Sequence, residues 1–499
     1  MTTFLASLPI LILIIVMGGF KLSGDKSSII TLAATLIISL FAFHTPFADI
    51  SYSFLFGMLK ALVPILFIIV MAIYSYNVLL LTGKIEILKR QFASISSDKS
   101  IQVLLITWGF GGLLEGMAGF GTAVAIPAAI LISLGFKPGF SAIVSLLANS
   151  VATGFGAVGV PVIVLGTETG LEPNALSPIV VKQLAPLMLL IPLALAFLSD
   201  PQLKSLPKNI ALGISVGAVS LAAQYYSARY IGVETPAIIG SLAAIVLIIL
   251  MGKIFSKKDK AEDKRVYPVR SIANAWAVYA FIMLLIILTS PLFPGMRNFL
   301  NSIAVSVIRF PINGEIKNYS INWLTQGGLL LFIGSFLGGW IQRASPKDLI
   351  RTLWKTLKQL RKTIVTVICL VGFSSVMETA GMINALAVAL AEATGTLYPL
   401  FSPAIGALGT FLTGSDTSAN ILFGKLQAGV STQIGIDPHW LAAANTAGAT
   451  GGKIISPQSI AIATSACDRQ GEEGLILKNA LPYSLAYVAI TGIVVYLFA

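Results

Sequence analysis

Apolar residues run along this chain in blocks of about 17 to 25, nearly free of charge, which is the length of helix that crosses a bilayer. The pattern predicts about twelve spans, near residues 3–19, 27–44, 52–81, 139–168, 178–198, 208–228, 235–254, 272–290, 321–341, 363–380, 438–466 and 476–498. Two more apolar stretches, about 101–134 and 398–429, are cut near their middles by glycines and an acid. They predict hairpins that enter the membrane and return on the same side. A short amphipathic stretch precedes each hairpin, KIEILKRQFASI in one half and MINALAVALAEA in the other. A span with a Gly-rich interior and a closing span follow each.

Those two Gly-rich spans carry the same phrase. Residues 148–161 read ANSVATGFGAVGVP and residues 444–457 read ANTAGATGGKIISP, both fitting A-N-[S/T]-x5-G-x4-P. Glycines and a proline are poor material for a continuous helix. Non-helical backbone at membrane depth is tolerated only where protein buries it or it lines a cavity. One interrupted span per half is the sequence sign of a secondary transporter with its site at the repeat interface.

Composition narrows the class. Of 499 residues, 56% are hydrophobic and 11% charged, and the mean hydropathy is +0.88. A soluble chain would carry roughly a quarter charged residues. The net charge of +12 does not form a nucleic-acid face, because the basic residues cluster in loops. Lys21 and Lys26 mark the first loop as cytoplasmic, and Lys84, Lys89, Arg90 and Lys99 mark the third. KIFSKKDKAEDKRVYPVR and RASPKDLIRTLWKTLKQLRK are also inside, the latter as an amphipathic helix on the membrane surface. Both termini then come out external. The first hairpin enters from the cytoplasm and the second from outside. Like order with opposite entry is an inverted repeat. The expected division is 1–200 for the first repeat, 201–270 for a linking helix pair and basic loop, and 271–499 for the second repeat. The stretch at about 291–320 reads as a long external connector. The first span has no basic residue before it and reads as a helix rather than a signal peptide.

The candidate chemistry lies in the interruptions. Glu115 stands among Gly111, Gly112, Gly116, Gly119 and Gly121. A carboxylate at membrane depth costs on the order of 3 kcal/mol when ionised, and desolvation favours its neutral form, as a proton carrier requires. A structural acid holding hairpin-tip amides is the alternative, and Gly112 with Gly116 also forms a helix-packing GxxxG. Asp416 sits in GSDTSAN among Ser415, Thr417, Ser418 and Asn420, after Gly414. Such residues cap helices, and a helix N-terminus attracts anions. Asp416 is therefore a cation or proton site, an N-cap, or both. Asn149 with Ser150, and Asn445 with Thr446, put an amide beside a hydroxyl before each interruption. Gly156 and Gly452 lie within the interruptions and let backbone approach a ligand. Lys453 is the one basic residue in either interrupted span. It pairs with an acid, meets the substrate, or extends to the cytoplasmic surface. Gln458 is a weaker candidate.

Several features are set aside. Gly154, Gly156 and Gly159 match G-x-G-x-x-G without a strand–turn–helix around them, so no dinucleotide site is expected. Cys369 and Cys467, with His44 and His439 at span edges, offer no metal set. Glu168, Glu172, Arg229 and Glu234 read as loop charges. Glu378 and Lys425 stay open between lining and surface roles.

At GFGGLLEGMAGFGTAVAIPAAIL and ANTAGATGGKIISPQSIAIAT, and at GSDTSAN before FGKLQ, the chain resembles the bacterial L-lactate permease family over most of its length. The resemblance implies proton-coupled import of lactate and related 2-hydroxy acids such as glycolate through the cytoplasmic membrane. It also implies two re-entrant hairpins and a mobile core against a scaffold. The matched positions are Glu115 with its glycines, Ser415 to Asn420, Asn149 with Ser150, Asn445 with Thr446, and Lys453.

The expectation is an all-α polytopic membrane protein, an inverted-repeat secondary transporter with two re-entrant helical hairpins and two broken transmembrane helices. It carries L-lactate, D-lactate or glycolate with protons, without a cofactor or metal, and a homodimer is a candidate assembly. A sodium-coupled carboxylate carrier of the same architecture is the alternative. A passive channel leaves the acids unexplained, and an enzyme would need a nucleophile–base pair or clustered acids that are not seen.

Overall fold

The computed structural model describes residues 2–20, 22–93, 96, 98–119, 121–255 and 268–499. Lys21 and residues 256–267 of the basic loop, on which the orientation partly leans, lie outside the described residues. Among those described, 11 helices are long and apolar enough to cross a membrane, or up to 12 with one bent pair counted as a single span.

Each half repeats one order of elements. In the first, a long span Phe47–Leu81 leads to a short helix Lys84–Ala93. A hairpin follows, descending through Lys99–Met117 and returning through Thr122–Ser133. Next come the limbs Pro138–Thr153 and Gly156–Thr169, bent by 48°, and the closing span Pro173–Ser199. In the second half the order is Arg361–Thr379, Met382–Thr394, the hairpin Tyr398–Thr413 with Asp416–Ile434, the limbs Pro438–Lys453 and Pro457–Ala466, and Glu473–Leu497. Leu203–Ile231 and Pro236–Phe255 come between these two series in the chain. Proline at the first turn starts both interrupted spans, where its missing N–H and fixed φ suit a helix start.

The interruptions differ in detail. In the first, Ala157, Val158 and Gly159 all have left-handed backbone, with φ of 46°, 60° and 77°. A β-branched residue in that region is an outlier held by its surroundings, and such residues cost of order 1–3 kcal/mol each. Gly159 needs to be glycine, since a Cβ there would strike the Val233 carbonyl. The second interruption is an ordinary restart, with Ser456 capping the new helix by accepting from Ser459 N–H at 3.2 Å.

The connector expected at 291–320 is structured. A helix Pro294–Ile303 leads into an antiparallel ribbon, β1 (Val305–Ile312) and β2 (Glu315–Asn322). Asn313 and Gly314 turn it with φ of 54° and 77°, the geometry of a tight two-residue hairpin. The ribbon is docked: Phe310 and Tyr319 meet Phe56 edge-on at 5.4 and 5.9 Å, and Asn313 N–H donates to Asp49 at 2.9 Å. The next helix consequently begins at Gly327 rather than near 321. The amphipathic stretch forms the helix Pro346–Gln359, with Leu349 buried and Ile350 and Trp354 exposed.

Candidate functional site

The hairpin tips and the two interruptions converge on one cavity of about 360 Å³. Glu115, Gly119 and Gly121 reach it from the first hairpin, and Thr413 to Ser418 from the second. Thr153, Gly156, Ala157, Val160 and Pro161 come from the first interrupted span, and Lys453 and Gln458 from the second. The mouth passes Ser23, Asp25, Lys362 and Thr366. These lie at the helix ends that adjoin the basic stretches around residues 21–26 and 343–362.

The two acids are held differently. Glu115 is 3% exposed and lies in the last turn of the helix Lys99–Met117, at its carbonyl end. Its Oε2 has no hydrogen-bond partner among the described residues. It fits only because residue 156 is glycine; a Cβ there would stand 2.6 Å from Glu115 Oε1. Asp416 is the first residue of Asp416–Ile434 and accepts from Thr410 Oγ1 at 3.0 Å. Its Oδ2 is buried without a partner. A helix N-terminus favours a negative charge and a C-terminus opposes one. By position on the helix dipole Asp416 is the better placed of the two for a negative charge, and burial opposes a charge on both.

Ser415 caps that helix, accepting from Ser418 N–H at 3.3 Å, and Thr417 and Ser418 line the cavity. Gly414, with φ of 74°, makes the tip turn; a Cβ would collide with Gln458. Lys453 donates from Nζ to the Gly414 carbonyl at 2.6 Å, at the end of Tyr398–Thr413. No carboxylate of the described residues lies within ion-pair distance of it. Lys453 acts on both Glu115 and Asp416 through space. It is on the chamber wall rather than extended to the surface.

Other expected residues sit behind the wall. Asn420 Nδ2 donates to the Pro161 carbonyl at 2.9 Å, and its Oδ1 accepts from Asn445 Nδ2 at 2.9 Å and Thr446 Oγ1 at 3.0 Å. Gln427 joins through Asn445 Oδ1 at 3.3 Å. This buried web ties the second hairpin to both interrupted spans. Asn149 donates to Thr153 at 3.1 Å, and Ser150 to the Leu147 carbonyl at 2.7 Å. Gly116 and Gly452 are packing positions, against Ile238 and the Ala407 backbone. Thr153, Thr366 and Lys362 line the cavity without having been singled out; no signal in their local sequence marks them.

Glu168 needs correction. It is not a loop charge but 3% exposed, 3.0 Å from Lys425 Nζ, and accepts from Ser374 Oγ at 3.2 Å. Lys425 also pairs with Glu378 at 2.9 Å. These groups lie beyond the chamber on the side away from its mouth.

Interrupted helices and paired re-entrant hairpins around one chamber with acids are the architecture of a membrane transporter. A family model described as L-lactate permease matches residues 2–499, and the chain belongs to the L-lactate permease family. It is 40% identical to an L-lactate permease of Streptococcus iniae, covering 88% of this chain and 93% of that one. It is 32% identical to the glycolate permease GlcA of Escherichia coli (strain K12), over 100% of this chain and 96% of that one. Among solved structures it is similar to the Alcanivorax borkumensis YdaH transporter, with a TM-score of 0.50 and 14% identity over 89% of this chain and 87% of that one. That likeness concerns the fold alone. The chain is a multi-pass membrane permease.

Proposed function

We propose that this protein carries small 2-hydroxy monocarboxylates, L-lactate, D-lactate and glycolate among them, across the cytoplasmic membrane by proton symport. The observation that carries the reading is the pair of buried acids, one per hairpin, facing one small chamber beside the half-buried Lys453. The volume is at the low end for ligand sites, which suits a small acid. The substrate carboxylate meets Lys453 and the N–H groups at Ser415 to Ser418, and chamber hydroxyls meet its 2-hydroxyl. Asn149, Ser150, Asn420, Asn445 and Thr446 hold the wall in place.

An ionised carboxylate without a partner is expensive in a buried site, and a proton is the smallest group that relieves it. Glu115, at a helix carbonyl end, is the proton carrier, and Asp416, at a helix N-terminus, is the lasting counter-charge to Lys453. One proton and one monoanion together leave the chamber charge unchanged, so one-to-one symport moves no net charge. No cofactor enters this scheme. The repeats divide near residues 200 and 270, with the linking pair between them.

Uptake of labelled L-lactate into proteoliposomes under an imposed pH gradient tests the reading, with glycolate, pyruvate and a dicarboxylate as competitors. Gradient-driven accumulation blocked by glycolate supports it. Accumulation driven by sodium at fixed pH refutes proton coupling, and preference for the dicarboxylate refutes the substrate class.

A further inference from the structure

The outer surface of the bundle carries an apolar groove of about 320 Å³ that shares no residue with the chamber. Leu62, Phe67 and Met71 of Phe47–Leu81 form one wall, and Ile364 of Arg361–Thr379 faces them, with Trp323 and Leu357 in the lining. Tyr319 Oη donates to the Val63 carbonyl, which fixes the end of the ribbon, and Trp323 just after it, beside Val63. Asn77 Nδ2 donates to Thr356 Oγ1 at 2.8 Å, which sets Leu357 further along the same span. Met71 stands eight residues beyond Val63, ~12 Å of helix, against ~15 Å of hydrocarbon in one leaflet. The groove thus extends through most of one leaflet's depth.

The end of the groove at Leu357 is strongly basic. Residues 343–362 carry seven Lys and Arg and one acid, Asp348. Asp348 is already taken, by Ser345 Oγ at 2.7 Å and Arg351 at 3.6 Å. No carboxylate of the described residues lies within 4.0 Å of Lys355, Lys358, Arg361 or Lys362. Lys358 follows the groove residue Leu357 in the chain, and Arg361 lies one helical turn before Ile364. Lys358 Nζ stands 5.7 Å from the centre of the Trp354 ring, and Trp354 is 61% exposed. An exposed tryptophan in a transmembrane chain sits at headgroup level. Unbalanced cations at the rim of an apolar slot match a molecule with an anionic head and an aliphatic tail. An isologous contact between two copies of the chain would instead bring this basic stretch against the same surface of its partner.

We propose that this groove binds one anionic phospholipid, with an acyl chain between Phe47–Leu81 and Arg361–Thr379 and the phosphate held by Lys358 and Arg361. Arginine meets a phosphate with two parallel N–H donors, and lysine meets it as a point charge. The bilayer supplies the ligand, and the site is independent of the substrate carried. Arg361–Thr379 also lines the chamber through Thr363, Thr366 and Val367, so the lipid braces a helix of the transport site.

The test uses the full-length protein in an uncharged detergent and reads its melting temperature against the mole fraction of added dioleoylphosphatidylglycerol or dioleoylphosphatidylcholine. Each Lys or Arg beside an anionic lipid is worth about fivefold in affinity. The half-saturating mole fraction of phosphatidylglycerol is therefore expected to lie at least about tenfold below that of phosphatidylcholine. Lys358→Gln with Arg361→Gln is expected to narrow the difference to about twofold, and the charge-preserving exchange of Lys358→Arg with Arg361→Lys to keep it above about fivefold. Met71→Trp fills the groove and is expected to abolish the saturable rise with the basic residues intact; if that variant does not fold, the two basic variants decide. Equal half-saturation by the two lipids in wild type, an unchanged preference in the double Gln variant, or the same rise with inorganic phosphate in place of lipid overturns the site. A rise that persists in Met71→Trp overturns the groove as the place of the tail. A doubled particle mass by light scattering, with no lipid-specific rise, shows a second copy in the groove and overturns the proposal as well.

Discussion

Replacing Glu115 with Gln removes the one chamber-lining acid that stands at a helix carbonyl end, while keeping its size. In the wild type a proton on Glu115 offsets the charge of the bound carboxylate. One proton per anion makes each pH unit worth about 1.4 kcal/mol, a tenfold accumulation ratio. A gradient of two units then drives about a hundredfold accumulation. In the Gln variant the chamber accepts the anion with no titrating partner at residue 115, and the assignment leaves Asp416, at a helix N-terminus, as the fixed counter-charge to Lys453. Accumulation is expected to fall to a ratio of about one, whereas exchange of labelled for unlabelled lactate continues, since exchange needs no net proton movement. The assay is steady-state lactate in proteoliposomes at imposed gradients of zero, one and two pH units, paired with counterflow at equal pH. A Gln variant that still accumulates tenfold per pH unit refutes the assignment of the proton to Glu115.

Asp416→Asn is expected to retain the slope of accumulation against pH gradient; loss of that slope with retained exchange would move the proton to Asp416. Lys453→Met should raise the half-saturating lactate concentration at least about tenfold, the lower end for a hydrogen bond to a charged group, and unchanged saturation would remove Lys453 from the site. Gly156→Ala places a methyl 2.6 Å from Glu115 Oε1; it is expected to impair accumulation more than detergent-state stability, and a thermal melt beside the uptake assay separates the two. At the cytoplasmic end Lys208 bridges Asp98 at 2.6 Å and Asp200 at 3.4 Å. A hydrogen bond from Ser205, and then Lys208, hold the Asp200 carboxyl below its ordinary value. Its stabilising effect is therefore present above about pH 4 and lost as pH falls through the lowered value. The melting temperature of Lys208→Ala should lie below wild type at neutral pH and converge with it in acid; a gap that persists in acid contradicts this.

The hairpins and interruptions were legible because glycines, small polar residues and acids in an apolar chain have few other uses. Gly119 and Gly121 do turn the first tip, with φ of 63° and 84°, and Gly414 the second. The left-handed backbone of Ala157 and Val158 was not legible, because neither residue prefers it and only the surrounding packing holds it there. Glu168 read as a loop charge because it closes a span; its burial depends on Lys425 and Ser374, which are remote in sequence. Asn420, Asn445 and Thr446 were recognised as polar groups near the interruptions, but an amide that lines a cavity and one that ties helices together look alike in sequence. The ribbon had a local signal, Asn-Gly between alternating residues, which the reading of the stretch as an external connector passed over.

The central claim is that one buried acid couples one proton to one small carboxylate in the chamber. Simultaneous recording of external pH and labelled lactate uptake in lightly buffered proteoliposomes, without sodium, measures this directly. The account predicts external alkalinisation in step with uptake, about one proton per lactate for a neutral cycle. Lactate entry with no pH change, or entry that requires sodium, contradicts it.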